Sequence, residues 1–163
     1  MCRIAGPAYA CVILLAAAVG SAPAEAREAV SFRANYSAGT IVVKTGERRL
    51  YYVTGDGQAL RYPVGVGKAG KQWAGKAQID GKYIKPAWAS PSNITRVIPG
   101  GSPSNPMGVA ALTLSGGEYA IHGTNRPDSI GGFVSSGCIR MYNQDVMDLF
   151  QRVSVGTPVV VTR

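Results

Sequence analysis

The sequence predicts a mostly β domain with one or two short helices. Short runs rich in valine, isoleucine, threonine and tyrosine recur along the chain, separated by glycine-rich turns. One segment near the C terminus has apolar residues at the three- and four-residue spacing of an amphipathic helix. With 163 residues, the chain has the length of one compact domain.

The first strands are expected between residues 40 and 66. Thr40–Lys44 and Arg49–Thr54 are β-rich runs, and the intervening Thr45-Gly46-Glu47 predicts a hairpin. A second turn at residues 55–57 leads to a third run, Ala59–Val66. These segments predict an antiparallel start to the sheet.

The middle of the chain is rich in glycine, proline and serine. Residues 65–106 are therefore expected to form long loops over the β framework. Strands are expected to resume at Val109–Ser115 and Tyr119–His122, and the chain ends in a further β-branched run, Pro158–Thr162.

One helix follows residue 142, with Asn143 as its expected N-cap. Asp145 near its start suits the helix dipole, so we expect a structural role for that carboxylate. The apolar positions that share one helical face, and are expected in the core, are Val146, Leu149, Phe150 and Val153.

Residues 1–26 have the pattern of a secretory signal peptide: Arg3, an apolar run from Ala10 to Val19, and small residues ending at Ala26. The apolar run is shorter than the roughly 20 residues that span a bilayer, so no stable membrane insertion is expected. Residues 27–38 are interpreted as a short N-terminal leader, and residues 39–163 as the domain.

The chain is basic, with 17 lysine and arginine residues against 9 acidic ones. Such a surface favours an anionic partner. An exported protein seldom meets nucleic acid, and the basic residues are scattered, so no nucleic acid is expected. Carboxylate-bearing peptides of the cell wall fit the compartment better. A charge that serves solubility only remains an open alternative.

Removing the signal peptide takes away Cys2 and Cys11, which leaves Cys138 as the single thiol in a compartment where thiols normally pair. Two interpretations remain open: a small buried hydrophobe or a reactive thiol. The polar approach through Ser135, Ser136 and Gly137 favours the second.

His122 is the only histidine. An imidazole can lower the pKa of a nearby thiol or take its proton during attack, while a histidine satisfied at a strand end is the alternative. Ser-x-x-Lys and Gly-x-Ser-x-Gly are absent from the sequence. The sequence has no cluster of cysteine, histidine and acidic residues at the spacing of metal ligands, so we expect no metal. Residues 65–70 match the glycine pattern of a dinucleotide-binding loop, but we interpret them as a turn and expect no cofactor.

Four sequence segments around the cysteine and the histidine form a recognisable set: Ile121–Asn125, Ser129–Gly131, Ser135–Met141 and Asn143–Asp145. Together they resemble the signature of the L,D-transpeptidase catalytic domain, the YkuD family. Residues 63–67 and 105–108 also resemble the family, and the looser likeness covers about residues 39 to 162.

The resemblance implies a β-sandwich in which a cysteine attacks a peptidoglycan stem peptide after its third residue and releases the terminal D-alanine. An amine then resolves the thioester, giving a 3-3 crosslink or the attachment of an outer-membrane protein or lipoprotein. The signal peptide implies that the enzyme is exported to the periplasm. We expect a monomer.

Carried to this chain, the resemblance makes Cys138 the nucleophile and His122 the base. Arg140 is expected to bind a substrate carboxylate, with a structural bridge to Asp145 or a loop carbonyl as the alternative. Ser136 stands where many members have a second histidine. The oxyanion hole is assigned to backbone N–H groups near Gly137 and Cys138, in a loop shaped by Ser135 and Ser136. Further substrate contacts are assigned to Gly123, Thr124 and Asn125.

Two other functions remain open. A hydrolase, such as an L,D-carboxypeptidase, would use the same thioester with water as the acceptor. A non-catalytic peptidoglycan-binding module would need no reactive thiol.

Overall fold

A nine-stranded mixed sheet dominates the computed structural model, which describes residues 27–90, 93–117 and 119–163. The expected signal peptide, residues 1–26, lies outside the described residues. In the part of the chain that is described, no helix is long and apolar enough to cross a membrane.

The elements are short and follow one another closely. In chain order they are β1 Glu28–Ser31, β2 Ile41–Lys44, β3 Arg49–Gly55, β4 Gln58–Pro63, β5 Val66–Gly67, β6 Gly75–Ile84, β7 Trp88–Ser90, β8 Asn93–Ile98, β9 Ala110–Leu114, β10 Ala120–His122, β11 Phe133–Ser135, β12 Ile139–Arg140, α1 Asn143–Arg152 and β13 Pro158–Thr162. The large sheet has the order β1-β4-β3-β2-β13-β6-β9-β10-β12. Two small sheets, β11-β5 and β7-β8, stand beside it.

Strand β6 joins the two halves of the sheet. Its first residues pair with β13, and its later residues pair with β9. The register shifts between Ile79 and Gly81, where a Cβ would come within 2.7 Å of the Tyr83 ring and of Thr113 Oγ1. The glycine therefore permits a close approach where the pairing changes.

Side chains from both halves of the sheet and from α1 share one buried core. Fully buried aliphatic residues of this core each contribute about 1.5–3 kcal/mol of transfer free energy. The central members include Ile41, Leu50, Tyr62, Ile79, Leu112, Ile121, Ile139, Met141, Val146 and Leu149. A mostly β fold with a single α-helix among the described residues confirms the predicted class.

The predicted hairpin between β2 and β3 is confirmed, and β9, β10 and β13 lie within their predicted segments. The prediction of long loops for residues 65–106 is wrong over β6 and over the β7–β8 hairpin. Polar residues on the exposed face of β6, together with Gly75 and Gly81, weaken the apolar alternation. Ala77, Ile79 and Gly81 do alternate toward the interior.

The segment expected to be a leader is part of the fold. Residues 28–31 form β1 and pair with β4. Phe32 is 7% exposed and stacks on Tyr51 with ring centroids 4.7 Å apart. Arg27 forms an ion pair with Asp148 on α1. The leader therefore covers a second apolar cluster on the other face of β2 and β3.

The prediction that Asn143 caps α1 is wrong, because Tyr142 is the N-cap and Asn143 is the first helical residue. Asn143 Oδ1 instead accepts hydrogen bonds from the N–H groups of Thr124, at 3.0 Å, and Val109, at 3.4 Å. The side chain thus fastens the helix start to the loop after β10. Val146, Leu149 and Val153 are buried as predicted, and Phe150 is partly buried against the same core.

Replacing Phe32 with alanine should lower the free energy of unfolding by about 2–4 kcal/mol, because it removes a buried ring from the second apolar cluster. Ile94→Ala, at a side chain 77% exposed, should change it by less than about 0.5 kcal/mol. Urea unfolding of both variants measures the difference. Equal stabilities would show that the leader does not contribute to the fold.

Candidate active site

Parallel pairing of β10 with β12 brings three chemically active side chains to one place. Ile121 lies opposite Ile139, and His122 lies opposite Arg140. Paired residues of neighbouring strands project to the same face, and residues two apart on one strand share it as well. Cys138 directly precedes β12, two residues before Arg140, and lies beside His122 and Arg140 in one cavity lining.

These side chains line one cavity of about 180 Å³. Sequence reasoning did not assign three of its residues: Trp88 comes from β7, and the others from the loop before β9. For the loop before β9, the resemblance of residues 105–108 to the family was a sequence signal of a role in the site. The lining residues are Trp88, Pro106, Met107, His122, Ser135, Ser136, Cys138 and Arg140.

Strand β12, which directly follows Cys138, is held along both edges. On one side it pairs with β10. On the other, Gly65 donates to Arg140 O at 2.9 Å and accepts from Arg140 N–H at 2.8 Å. A Cβ at Gly65 would lie 2.8 Å from Ser129 O. Gly65 therefore reaches β12 as close-packed backbone. Of residues 65–70, which were expected to form a turn, Gly65 bridges to Arg140, Val66–Gly67 form β5, and residues 69–70 lie in a turn.

Ser135 shapes the loop before the cysteine, as expected. Its buried hydroxyl accepts from Gly137 N–H at 3.1 Å and donates to Cys138 O at 2.6 Å. The Gly137 N–H expected to contribute to an oxyanion hole is thus already engaged in the loop. The Cys138 N–H becomes the candidate donor, while Ser136 lies exposed at the cavity rim.

His122 is buried, and its tautomer follows from one contact. Nδ1 lies 2.6 Å from Gly123 O, and because a carbonyl only accepts, Nδ1 carries the hydrogen and Nε2 a lone pair. Burial lowers the pKa of His122 to about 4; the charge of Arg140 acts in the same direction and the Gly123 carbonyl against it. The imidazole is therefore neutral at pH 7.

Cys138 is a neutral thiol in the same environment. Burial raises the pKa of its thiol, whereas hydrogen bonding to the backbone of Ala120 and the charge of Arg140 act in the opposite direction. The sequence left open whether the imidazole forms an ion pair with the thiol or takes its proton during attack. Because both groups are neutral, the structure favours transfer of the thiol proton to the imidazole during attack.

Arg140 supplies the positive charge of the cavity. Its side chain is half-buried, and within the described residues its Nε is buried without a hydrogen-bond partner. Oδ2 of Asp145 is also buried without a partner in the described part of the chain. The alternative bridge between these two residues is therefore not made through these atoms. Burial raises the pKa of Asp145 to about 6.

The structure does not bring Gly123, Thr124 and Asn125 to the Cys138 cavity. Gly123 N–H donates to Ala110 O at 3.0 Å, and the buried Thr124 is fastened to Asn143. Thr124 and Asn125 line a neighbouring cavity of about 240 Å³. These residues hold the loop after His122, and the expected substrate contact has no counterpart among the lining of the Cys138 cavity.

Comparisons with known proteins point to one family. A family model described as the L,D-transpeptidase catalytic domain, YkuD, matches residues 38–161. The probable L,D-transpeptidase ErfK/SrfK of Escherichia coli (strain K12) is 39% identical over 135 residues, covering 73% of this chain and 42% of that protein. The chain thus spans about two fifths of the length of the curated relatives that it matches.

Solved structures share the fold. An Enterococcus faecium L,D-transpeptidase mutant, in which serine replaces a cysteine, has a TM-score of 0.62 at 22% identity and covers 76% of this chain and 49% of that one. L,D-transpeptidase 3 from Mycobacterium tuberculosis, in complex with a faropenem-derived adduct, has a TM-score of 0.60 at 14% identity, covering 76% and 60%. The predicted fold is confirmed.

The low pKa of His122 predicts a pH-dependent loss of stability. Its pKa of about 4 lies below the ordinary 6.5, so the unfolded chain binds the proton first as pH falls. Between pH 6.5 and 4, the free energy of unfolding should fall by up to about 3 kcal/mol more in the wild type than in His122→Gln.

Urea unfolding of both proteins across this range measures the difference in slope. The raised pKa of Asp145 has the opposite effect, since a carboxyl that is protonated more readily when folded gains stability as pH falls. That contribution is present in both proteins and cancels in the comparison. Parallel pH profiles would show that His122 is not held neutral.

Proposed function

The chain belongs to the L,D-transpeptidase catalytic domain (YkuD) family, and from this premise we propose that it transfers acyl groups of peptidoglycan stem peptides through a thioester on Cys138. The observation that carries the proposal is the convergence of Cys138, His122 and Arg140 in one cavity. The cavity joins a thiol, a neutral imidazole and a cationic group for an anionic substrate.

In the first half of the reaction, Cys138 Sγ attacks the carbonyl of the third stem residue while His122 Nε2 takes the thiol proton. The Cys138 N–H stabilises the oxyanion of the tetrahedral intermediate. The imidazolium then gives its proton to the nitrogen of the terminal D-alanine as the carbon–nitrogen bond breaks. D-alanine leaves as a neutral amine, and the acyl group remains on sulfur as a thioester.

In the second half, an acceptor amine attacks the thioester carbonyl and gives a proton to His122. The carbon–sulfur bond breaks, and the proton returns to sulfur. An amine on a neighbouring stem gives a 3-3 crosslink, and a lysine of an outer-membrane protein or lipoprotein gives protein attachment. One imidazole serves both halves, because it is neutral at the start of each.

Arg140 binds a carboxylate of the stem peptide. Its buried Nε has no hydrogen-bond partner in the described part of the chain, and it lines the cavity beside Cys138. A planar guanidinium holds a carboxylate through parallel hydrogen bonds. The net charge of +8 attracts the same anionic peptides at longer range. We further propose that the protein is exported to the periplasm and acts there as a monomer.

Incubation with a disaccharide-tetrapeptide should give dimers lacking one D-alanine. Cys138→Ala and His122→Gln should each lower product formation by at least about 10³-fold, because they remove the nucleophile and the base. Ser154→Ala, an exposed change outside this cavity, is the control and should retain activity. Mass spectrometry of the products measures all four proteins.

The other products identify the alternatives. Tripeptide without dimer would contradict transfer and indicate a hydrolase that uses the same thioester. Unchanged substrate would contradict an enzymatic role on this peptide and favour a binding module. Product from Cys138→Ala would exclude the thiol as the nucleophile.

Faropenem should form a covalent adduct on Cys138, because its strained ring offers an acylating carbonyl to the thiol. The structure of the M. tuberculosis relative with a faropenem-derived adduct supports this expectation. The rate of adduct formation should fall only toward pH 4, where His122 becomes protonated. Intact-protein mass spectrometry, with Cys138→Ala as control, measures the adduct; loss of rate already near pH 6.5 would contradict a neutral, buried base.

A further inference from the structure

Trp73 reaches the nucleophile loop from outside the cavity. It lies in the segment between β5 and β6, and its indole Nε1–H donates to Gly137 O at 3.1 Å. Its indole also stacks on the ring of Tyr119, with ring centroids 5.0 Å apart and planes 7° apart. The carbonyl of Gly137 thus points to an aromatic pair that does not line the Cys138 cavity.

The carbonyl of Gly137 and the N–H of Cys138 belong to one peptide unit. This unit is trans, so its carbonyl and its N–H point in opposite directions across one plane. A hydrogen bond that holds the carbonyl toward Trp73 therefore turns the N–H away from Trp73. Trp73 fixes the direction of the candidate oxyanion donor without touching the substrate.

The N–H that is turned away from Trp73 belongs to Cys138, which lines the cavity, whereas Trp73 and Tyr119 do not. Burial raises the pKa of the thiol, and hydrogen bonding from the backbone of Ala120 and of Cys138 itself acts in the opposite direction. An N–H beside the sulfur is placed to meet the oxygen of a carbonyl that the sulfur attacks.

Gly137 cannot hold this peptide by itself. Its φ of +132° lies in a region that side chains rarely adopt, and a Cβ would overlap the Tyr119 ring. Glycine at this position permits the conformation but leaves the backbone free to rotate. Ser135 engages the Gly137 N–H and the Cys138 carbonyl, and it leaves the Gly137 carbonyl to Trp73.

We propose that Trp73 is a positioning residue for acyl transfer, holding the Gly137–Cys138 peptide so that the Cys138 N–H faces the oxyanion. This role rests on the proposed function and adds a specific part to it. It belongs to the step in which charge develops on the carbonyl oxygen. Displacement reactions of the thiol that form no oxyanion do not need it.

Two probes of Cys138 separate these steps. Faropenem acylates the thiol through a tetrahedral oxyanion, whereas iodoacetamide alkylates it by displacing iodide and forms none. Trp73→Phe keeps an aromatic ring against Tyr119 and removes the N–H donor. Tyr52→Phe is the matched control, because it removes an aromatic donor to Arg152 O, 3.3 Å away and outside the Cys138 cavity.

Trp73→Phe should slow acylation by on the order of tenfold, since loss of a whole oxyanion donor costs about 10²–10³-fold and misalignment costs less. Alkylation should stay within about twofold of the wild type, and Tyr52→Phe should change neither rate. Rates for both probes come from intact-protein mass spectrometry of the purified protein.

Equal acylation by wild type and Trp73→Phe would overturn the positioning role and leave the proposed function intact. Equal slowing of both probes would also overturn it, because Trp73 would then support the thiol or the loop in general. A wild type that is alkylated but not acylated would overturn the proposed function, and the positioning role with it.

Discussion

The pairing of β10 with β12 is the constraint on which the site depends. It sets His122 opposite Arg140, and Cys138 lies beside both in one cavity lining, directly before the strand begins. Because β12 is short, it relies on backbone contacts from Gly65 on its other edge. The rest of the sheet, with α1 against it, supplies the buried core that holds both strands in register.

Burial then decides the charge state of the pair. A desolvated imidazole and a desolvated thiol both favour their neutral forms, and the nearby Arg140 further disfavours a second cation. The positive charge of the cavity therefore resides on Arg140, where a substrate carboxylate can meet it. His122 remains ready to accept a proton at neutral pH, and the Gly123 carbonyl fixes which nitrogen does so.

Short-range signals in the sequence were sufficient to predict the hairpin and the helix and to select Cys138 and His122 as candidate site residues. These signals were not sufficient where contacts between residues distant in the sequence determine the structure. Asn143 has the sequence position of a helix N-cap, yet its side chain accepts a hydrogen bond from Thr124 N–H in the loop after β10. Trp73 lies 64 positions from its partner Gly137, so no local pattern reveals it. Strand β6 is stabilised by its neighbours on both sides, although its own sequence is polar and rich in glycine.

The ultraviolet absorbance of the Cys138 thiolate, measured against pH as the difference between wild type and Cys138→Ser, tests the neutral pair most directly. Subtracting the variant removes the contributions of the tyrosines and of the other cysteines. The account predicts no thiolate at neutral pH and a rise only above the ordinary cysteine range. A thiolate already present at neutral pH and abolished by His122→Gln would show an ion pair and contradict the account.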